Sequence, residues 1–270
     1  MRYMRVSSLA MLVVASLYAL SVRVQTSAAE SCVMIQELNA NRALTTRGSA
    51  CSTRLSPAST FKIPHALVAL ETGVVTAQSV EKPDGTRYEQ QPKWNREHTV
   101  ISALRPSVLW VFRRIAPRIG AERMREWLAK FDYGNRTVSD PITEYWTNGS
   151  LEISVPEQVR FLVRFYREEL PVRPGHMRAV RGGLEQDTGT VENSRGIHPL
   201  SGDWRNATLN AKTGATTIDR YGVSWLVGLI RTGNRDYAFA SAVWNAKGGV
   251  DLLDGAKLAA RTFVETGLLR

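Results

Sequence analysis

The chain has 270 residues, 43% apolar and 22% charged, which is enough for one domain with a substantial core and excludes a disordered or low-complexity chain. Its formal net charge is +10. The arginines are scattered, with no dense Lys/Arg run interleaved with aromatics, so the charge describes a solvated basic surface and argues against nucleic-acid binding.

Two arginines within Met1 to Arg5, the apolar stretch Ser8 to Val22 and the small residues Ser27-Ala28-Ala29 read as a secretory signal peptide over residues 1–29. An uncleaved anchor is the alternative, but the apolar run is short for a bilayer span. Cleavage after Ala29 leaves a mature domain, residues 30–270, with a net charge of +7 once Arg2, Arg5 and Arg23 are removed. Its expected location is the periplasm, with no membrane segment after cleavage. Cys32 and Cys51 then enter an oxidising compartment, where an even count favours a disulfide over two free thiols. The four histidines are scattered and no Cys/His cluster has zinc spacing, so no metal site is expected.

Along the mature chain, Cys32 to Leu38 reads as a strand, Asn39 to Arg42 as a turn and Ala43 to Thr46 as the start of a returning strand. Pro57 to Thr72 reads as a helix with Phe61, Ile63, Leu67, Val68 and Leu70 on its apolar face. Pro64 is tolerable only near a first turn, which puts Ser59 at the helix N-terminus, where unsatisfied N–H groups can hold an oxyanion. Residues 81–99 read as loop. Val108 to Ile119 and Ala121 to Lys130 read as helices broken near Pro117 and Gly120, and Pro156 to Arg167 as another. Residues 171–206 read as a long connection that flanks a site. Three strands follow near Thr208 to Lys212, Gly222 to Arg231 and Tyr237 to Trp244, the last two joined at Thr232-Gly233-Asn234, and Leu252 to Glu265 closes the chain as a helix. This order predicts an α+β fold: an antiparallel β-sheet flanked by helices, with a helical lobe inserted between the strand pair and the strand meander.

The chemistry concentrates at Ser59-Thr60-Phe61-Lys62. Serine and lysine three apart share one helix face, and a lysine in an apolar pocket loses its charge and can deprotonate the serine. The spacing alone is weak. Ser79-Val80-Glu81-Lys82 repeats it, between a helix stop and the turn Pro83-Asp84-Gly85, and reads as a chance match in a solvated loop. Three ordered patterns follow the first copy: Ser107-Val108-Leu109 after Pro106, Tyr133-Gly134-Asn135 in a turn, and Lys212-Thr213-Gly214 on a strand just before a turn. Lysine is the rarer cation in this chain, so its presence in both patterns is informative.

This set resembles the penicillin-recognising serine enzymes, and with Ser107-Val108-Leu109 and Tyr133-Gly134-Asn135 it is similar to the class D (oxacillinase-type) serine β-lactamases. Phe131 to Asn135, Trp146 to Ser154 and Trp225-Leu226-Val227-Gly228 carry the same likeness, which covers nearly the whole mature chain. The resemblance implies β-lactam hydrolysis, with antibiotic resistance as its consequence, on small-molecule substrates and without a cofactor, by a monomer or homodimer. Ser59 would form the acyl-enzyme. Lys62 would carry a carbamate derived from carbon dioxide and act as general base, with Trp146 donating its indole N–H to it; a core tryptophan is the other reading of that residue. Ser107 would relay a proton to the lactam nitrogen, although a helix N-cap explains it equally well. Lys212 and Thr213 would meet the substrate carboxylate, with Gly214 allowing close approach, and the N–H groups of Ser59 and Ala215 would form the oxyanion hole. Tyr133 and Asn135 would shape the wall.

Three departures from the family pattern stand out. Leu109 is bulkier than the usual valine, Thr147 replaces an apolar residue, and Gly255-Ala256-Lys257 is the nearest match to a Gly-x-Arg that binds carboxylate, leaving Lys257 without the bidentate fork. A β-lactam sensor domain and a peptidoglycan D,D-carboxypeptidase or esterase would use the same serine.

Overall fold

In the computed structural model, which describes residues 29–40, 42–48 and 50–270, the mature chain opens on two antiparallel strands, β1 (Glu30–Glu37) and β2 (Ala43–Arg47). Residues 1–28, which carry the expected leader, lie outside the described residues. Much later the chain returns as β5 (Ala207–Ile218), β6 (Tyr221–Thr232) and β7 (Arg235–Asn245). The five form one antiparallel sheet in the order β2-β1-β7-β6-β5, so β1 docks on the last strand of the meander, with Cys32 opposite Ala242.

Alternation explains why this sheet is covered on both faces. On β6, Val223, Trp225, Val227 and Leu229 point into one core, while Leu226 and Ile230 point into the other. On β7, Ala238, Ala240 and Ala242 present small side chains to the first core, against which α4 (Val155–Tyr166) packs. The closing helix α6 (Asp254–Glu265) covers the second face through Ala256, Ala259 and Phe263. The α+β prediction stands, sheet and flanking helices alike.

Between β2 and β5 lies the helical lobe: α1 (Lys62–Glu71), α2 (Leu109–Ile119), α3 (Ala121–Phe131), α4 and α5 (Pro174–Gly182). The helix expected from Pro57 divides in two, a 3-10 turn Ala58–Phe61 followed by α1. Pro64 thus falls in the first turn of α1, where its missing N–H costs nothing. The break expected near Pro117 and Gly120 falls at Gly120, at φ 85, and Pro117 lies inside the last turn of α2. α4 starts on a capping box: Glu157 N–H donates to Ser154 Oγ (3.4 Å) and Ser154 N–H donates to Glu157 Oε2 (2.8 Å).

Two expectations need correction. The connection 171–206 is not structureless: it holds α5 and a hairpin of β3 (Thr190–Asn193) and β4 (Gly196–Pro199). Strands of four residues, only the second of which alternates in exposure, leave too short a period to read. The lysine-bearing strand also does not end near Lys212 but runs on to Ile218, paired with β6 throughout. Gly214, expected to allow a close approach, lies inside this strand rather than ahead of a turn.

Cys32 and Cys51 are bonded, with Cα atoms 5.2 Å apart and a sequence separation of 19. Closing a loop of that size is worth about 3 kcal/mol in the chain-entropy description. Urea unfolding with and without reductant should therefore differ by about that amount, and a Cys32→Ser/Cys51→Ser double variant should match the reduced protein.

Candidate active site

The segment entering α1 is held from three directions. Trp225 on β6 donates its indole N–H to Ser56 O (2.9 Å), and Ser56 Oγ donates to Trp146 O (3.0 Å). Thr60 Oγ1 donates to Pro57 O (2.7 Å) and accepts from Gln158 Nε2 of α4 (2.8 Å). Within this frame Ala58 takes a left-handed conformation, φ 48, which costs a non-glycine residue about 1 kcal/mol or more and persists because its surroundings impose it. The result turns Ser59 into a cavity of about 510 Å³.

Lys62 follows, fully buried, with Nζ 2.7 Å from Ser59 Oγ and 5.5 Å from the centroid of the Phe112 ring. Burial drives its pKa well below the ordinary lysine value, and the nearby cations Lys212 and Arg113 push it the same way. A neutral amine in hydrogen-bond contact with a serine hydroxyl can take its proton. The duplicate pattern behaves as the solvated reading requires: Lys82 has 76% of its side chain exposed and pairs with Glu97 (3.5 Å). Spacing is shared; burial separates the two.

His65 sits one turn beyond Lys62 among Phe61, Phe112 and Trp146 rings at 5.3–5.6 Å, with neither ring nitrogen hydrogen-bonded among the described residues. Burial, reinforced by Lys62, lowers its pKa to about 3, so it stays neutral. Trp146 stacks on Phe61 at 5.8 Å, and its indole N–H is buried without a partner among the described residues. A buried donor without an acceptor is costly. A neutral amine in an apolar pocket, lined by an orphaned N–H on a ring that packs against Lys62's immediate neighbour, fits a carbamate on Lys62.

Two further segments complete the cavity. Ser107 lines it from just before α2, in a left-handed conformation at φ 57. It does not cap the helix: Val108 occupies the cap position and no side-chain cap bond forms, which removes the N-cap explanation. Leu109 lines the cavity one residue into α2. From β5, Ala215 lines the same cavity, and Lys212 and Thr213 lie buried behind it, with Lys212 Nζ donating to Thr213 O (3.0 Å). Burial lowers the Lys212 pKa to about 7, opposed by the Glu192 carboxylate. Gly214 explains itself sterically: a Cβ there would stand 2.9 Å from Pro57 O and 3.0 Å from Thr60 N. The strand therefore runs directly against the turn that carries Ser59.

Tyr133 and Asn135 are supports. Tyr133 meets Phe61 (5.8 Å) and Phe161 (5.2 Å) edge-on, fully buried. Asn135 donates to Ser150 O (2.8 Å) and accepts from Glu152 N–H (3.1 Å), so it ties its turn to the loop bearing Trp146 and Thr147. Thr147 lines the cavity and its carbonyl accepts from Thr216 Oγ1 of β5 (3.0 Å). Lys257 is not brought to the cavity. It stands exposed on α6, 3.3 Å from both Asp251 and Asp254, which corrects its assignment as a carboxylate ligand: two acidic neighbours occupy its charge. Sequence reasoning missed Trp94, Arg113, Glu144 and Ser194, all of which line the cavity and none of which belongs to a motif. The spacing of Arg113, four residues after Leu109 on one helix face, was the one available signal.

A buried Ser–Lys couple at a helix start, set against a K-T-G strand in an α+β sheet, defines a penicillin-recognising serine protein. The family model described as penicillin binding protein transpeptidase domain matches residues 19–265. A probable β-lactamase, YbxI, of Bacillus subtilis (strain 168) is 36% identical over 191 residues, 70% of this chain and 65% of that protein. A solved class D β-lactamase from Bacillus subtilis superposes with a TM-score of 0.74 at 30% identity, covering 90% of this chain and 93% of that one. The C-terminal domain of the Bacillus licheniformis BlaR penicillin receptor gives 0.76 at 26% identity, with coverages of 90% and 92%. The chain belongs to the class D serine β-lactamase family of the transpeptidase superfamily. Its aligned part spans about two thirds or less of several curated relatives.

The contact at Gly214 yields a sharp expectation. Gly214→Ala should leave a folded protein whose strand is displaced from the Ser59 turn. Labelling of Ser59 by a fluorescent penicillin, followed by gel or intact mass, should slow by about 100-fold, the scale of an ångström-level misplacement.

Proposed function

We propose that this chain hydrolyses β-lactams through an acyl-enzyme on Ser59. The observation that carries the proposal is the 2.7 Å contact between Ser59 Oγ and a fully buried, charge-stripped Lys62. The neutral amine takes the Ser59 proton as Oγ attacks the lactam carbonyl, and the oxyanion is received by the N–H groups of Ser59 and Ala215. Ser107, in the same cavity, passes a proton to the departing lactam nitrogen. Lys212 and Thr213 attract the ring carboxylate, which orients the carbonyl toward Ser59. Where Lys62 is carboxylated, a carbamate would take the place of the free amine as the base in both halves of the reaction, first toward Ser59 and then toward water, and the orphaned Trp146 N–H is suited to hold it. Export to the periplasm and a role in antibiotic resistance follow from the leader pattern and from this reaction.

A second reading is a β-lactam sensor that acylates without turnover. The likeness to the penicillin-receptor domain favours it. Time-resolved intact mass separates the two readings. A penicilloyl adduct that forms and clears marks the enzyme. One equivalent that persists marks the sensor.

Ser59→Ala should abolish nitrocefin hydrolysis, and Lys62→Ala should lose turnover in a way that added bicarbonate does not restore. Intact turnover in either variant would defeat the proposal.

The two lysines set opposite limbs of a pH profile. Lys62 is a base only when neutral, and its lowered pKa means that activity is lost as pH falls through that value. Lys212 holds a carboxylate only when charged, so binding weakens as pH rises above about 7. A bell-shaped kcat/KM should result, its alkaline limb abolished with a substrate amide that lacks the ring carboxylate.

A further inference from the structure

Helix α2 sends two side chains into the cavity one turn apart, Leu109 and Arg113. Opposite Arg113, Glu144 reaches in from the loop that precedes Trp146, and the pair meets at a single contact, Nη2 to Oε1 at 3.3 Å. These two are the only charged side chains lining the cavity among the described residues. Both are partly open to solvent, with 43% and 45% of their side chains exposed. An exposed, singly bonded ion pair contributes little and is readily exchanged. Arg113 commits one of its five N–H donors to it, leaving the planar fork available to a better-matched carboxylate.

The proposed reaction supplies the geometry for a ligand. A penicillin carries its ring carboxylate and its acylamino side chain at opposite ends. With the carboxylate at Lys212 and Thr213 and the carbonyl at Ser59, the side chain is left to the rest of the cavity, whose lining includes Arg113 and Glu144. We propose that Arg113 is a specificity-determining residue that binds a carboxylate on the acyl side chain of a β-lactam, displacing Glu144, so that α-carboxy penicillins are favoured over their neutral counterparts. This inference rests on the β-lactam reading above. Glu144 is the opposing element: it repels the incoming anion until it swings aside, and thereby limits the preference.

The test compares benzylpenicillin with carbenicillin, which adds one carboxylate at the side-chain α-carbon. The readout is the second-order acylation rate of the full chain, by stopped flow or intact mass, which is defined whether or not the adduct later clears. The carbenicillin-to-benzylpenicillin ratio should fall about ten-fold in Arg113→Gln, the scale expected for losing a charged bidentate contact. It should recover in part in Arg113→Lys and rise in Glu144→Gln. Arg113 also depresses the proton affinity of Lys62, but that effect acts on both drugs alike and cancels in the ratio. An unchanged ratio across the three variants, or an equal loss with both drugs in Arg113→Gln, would overturn the inference while leaving the function standing. No acylation of the unaltered protein by either drug would overturn both. Should Arg113→Gln fail to fold, judged by its thermal melt, a flat ratio in Arg113→Lys and Glu144→Gln would still overturn it.

Discussion

The structure turns on keeping the Lys62 amine out of water. A lysine side chain is almost never fully enclosed without a carboxylate partner, because an ammonium in a low-dielectric interior is prohibitively expensive. Here the amine is enclosed by Phe112 and the ring cluster around Phe61, with only Ser59 Oγ in hydrogen-bond contact among the described residues. The interior resolves the conflict by surrendering the proton, and the surrendered proton makes a base. The stability lost by burying a lysine and the reactivity gained at a serine are therefore one physical event.

A second lysine in the same neighbourhood obeys the same rule with a different outcome. Lys212 is as deeply buried, yet its pKa falls only to about 7. The difference lies in counter-charge. Glu192 acts on Lys212, and it reaches the interior because Lys93 (2.6 Å) and Arg105 (3.3 Å) neutralise it there. Lys62 has no such acid; its charged neighbours, Lys212 and Arg113, are both cations. One lysine is thereby kept poised near its charged form and the other neutral, and the charge of Lys212 reinforces the neutrality of Lys62. A chain this basic produces the asymmetry simply by withholding carboxylates from one site.

Legibility in the sequence followed the scale of each interaction. Features carried by local pattern were readable: strands with two-fold alternation, the helix start that Pro64 places at Ser59, and the bond between Cys32 and Cys51. Motif residues could be assigned roles because their chemistry is particular to their type. Features set by contact between distant segments were not readable. Gly214 reads as a residue that permits a close approach, but only the juxtaposition of β5 with Pro57 and Thr60 shows which segment comes close. Lys257 looked like a carboxylate ligand until Asp251 and Asp254 were found beside it.

The β3–β4 hairpin shows the same limit from the other side. Nothing in Thr190 to Pro199 resembles a functional motif, yet this hairpin supplies Ser194 to the cavity and Glu192 to the lysine behind it. It is fastened to β5 indirectly: Glu192 N–H donates to Gln186 Oε1 (2.8 Å), and Gln186 Nε2 donates to Ala211 O (3.0 Å), the residue before Lys212. The 81–99 loop is joined to the same acid through Lys93 and reaches the cavity with Trp94, whose indole N–H donates to Pro106 O (2.9 Å) beside Ser107. A single buried carboxylate thus links the hairpin, the loop and the segment leading to α2, which otherwise share no sheet or helix. Because that carboxylate also supports the charge of Lys212, the walls that shape the cavity and the positive charge behind it depend on the same side chain.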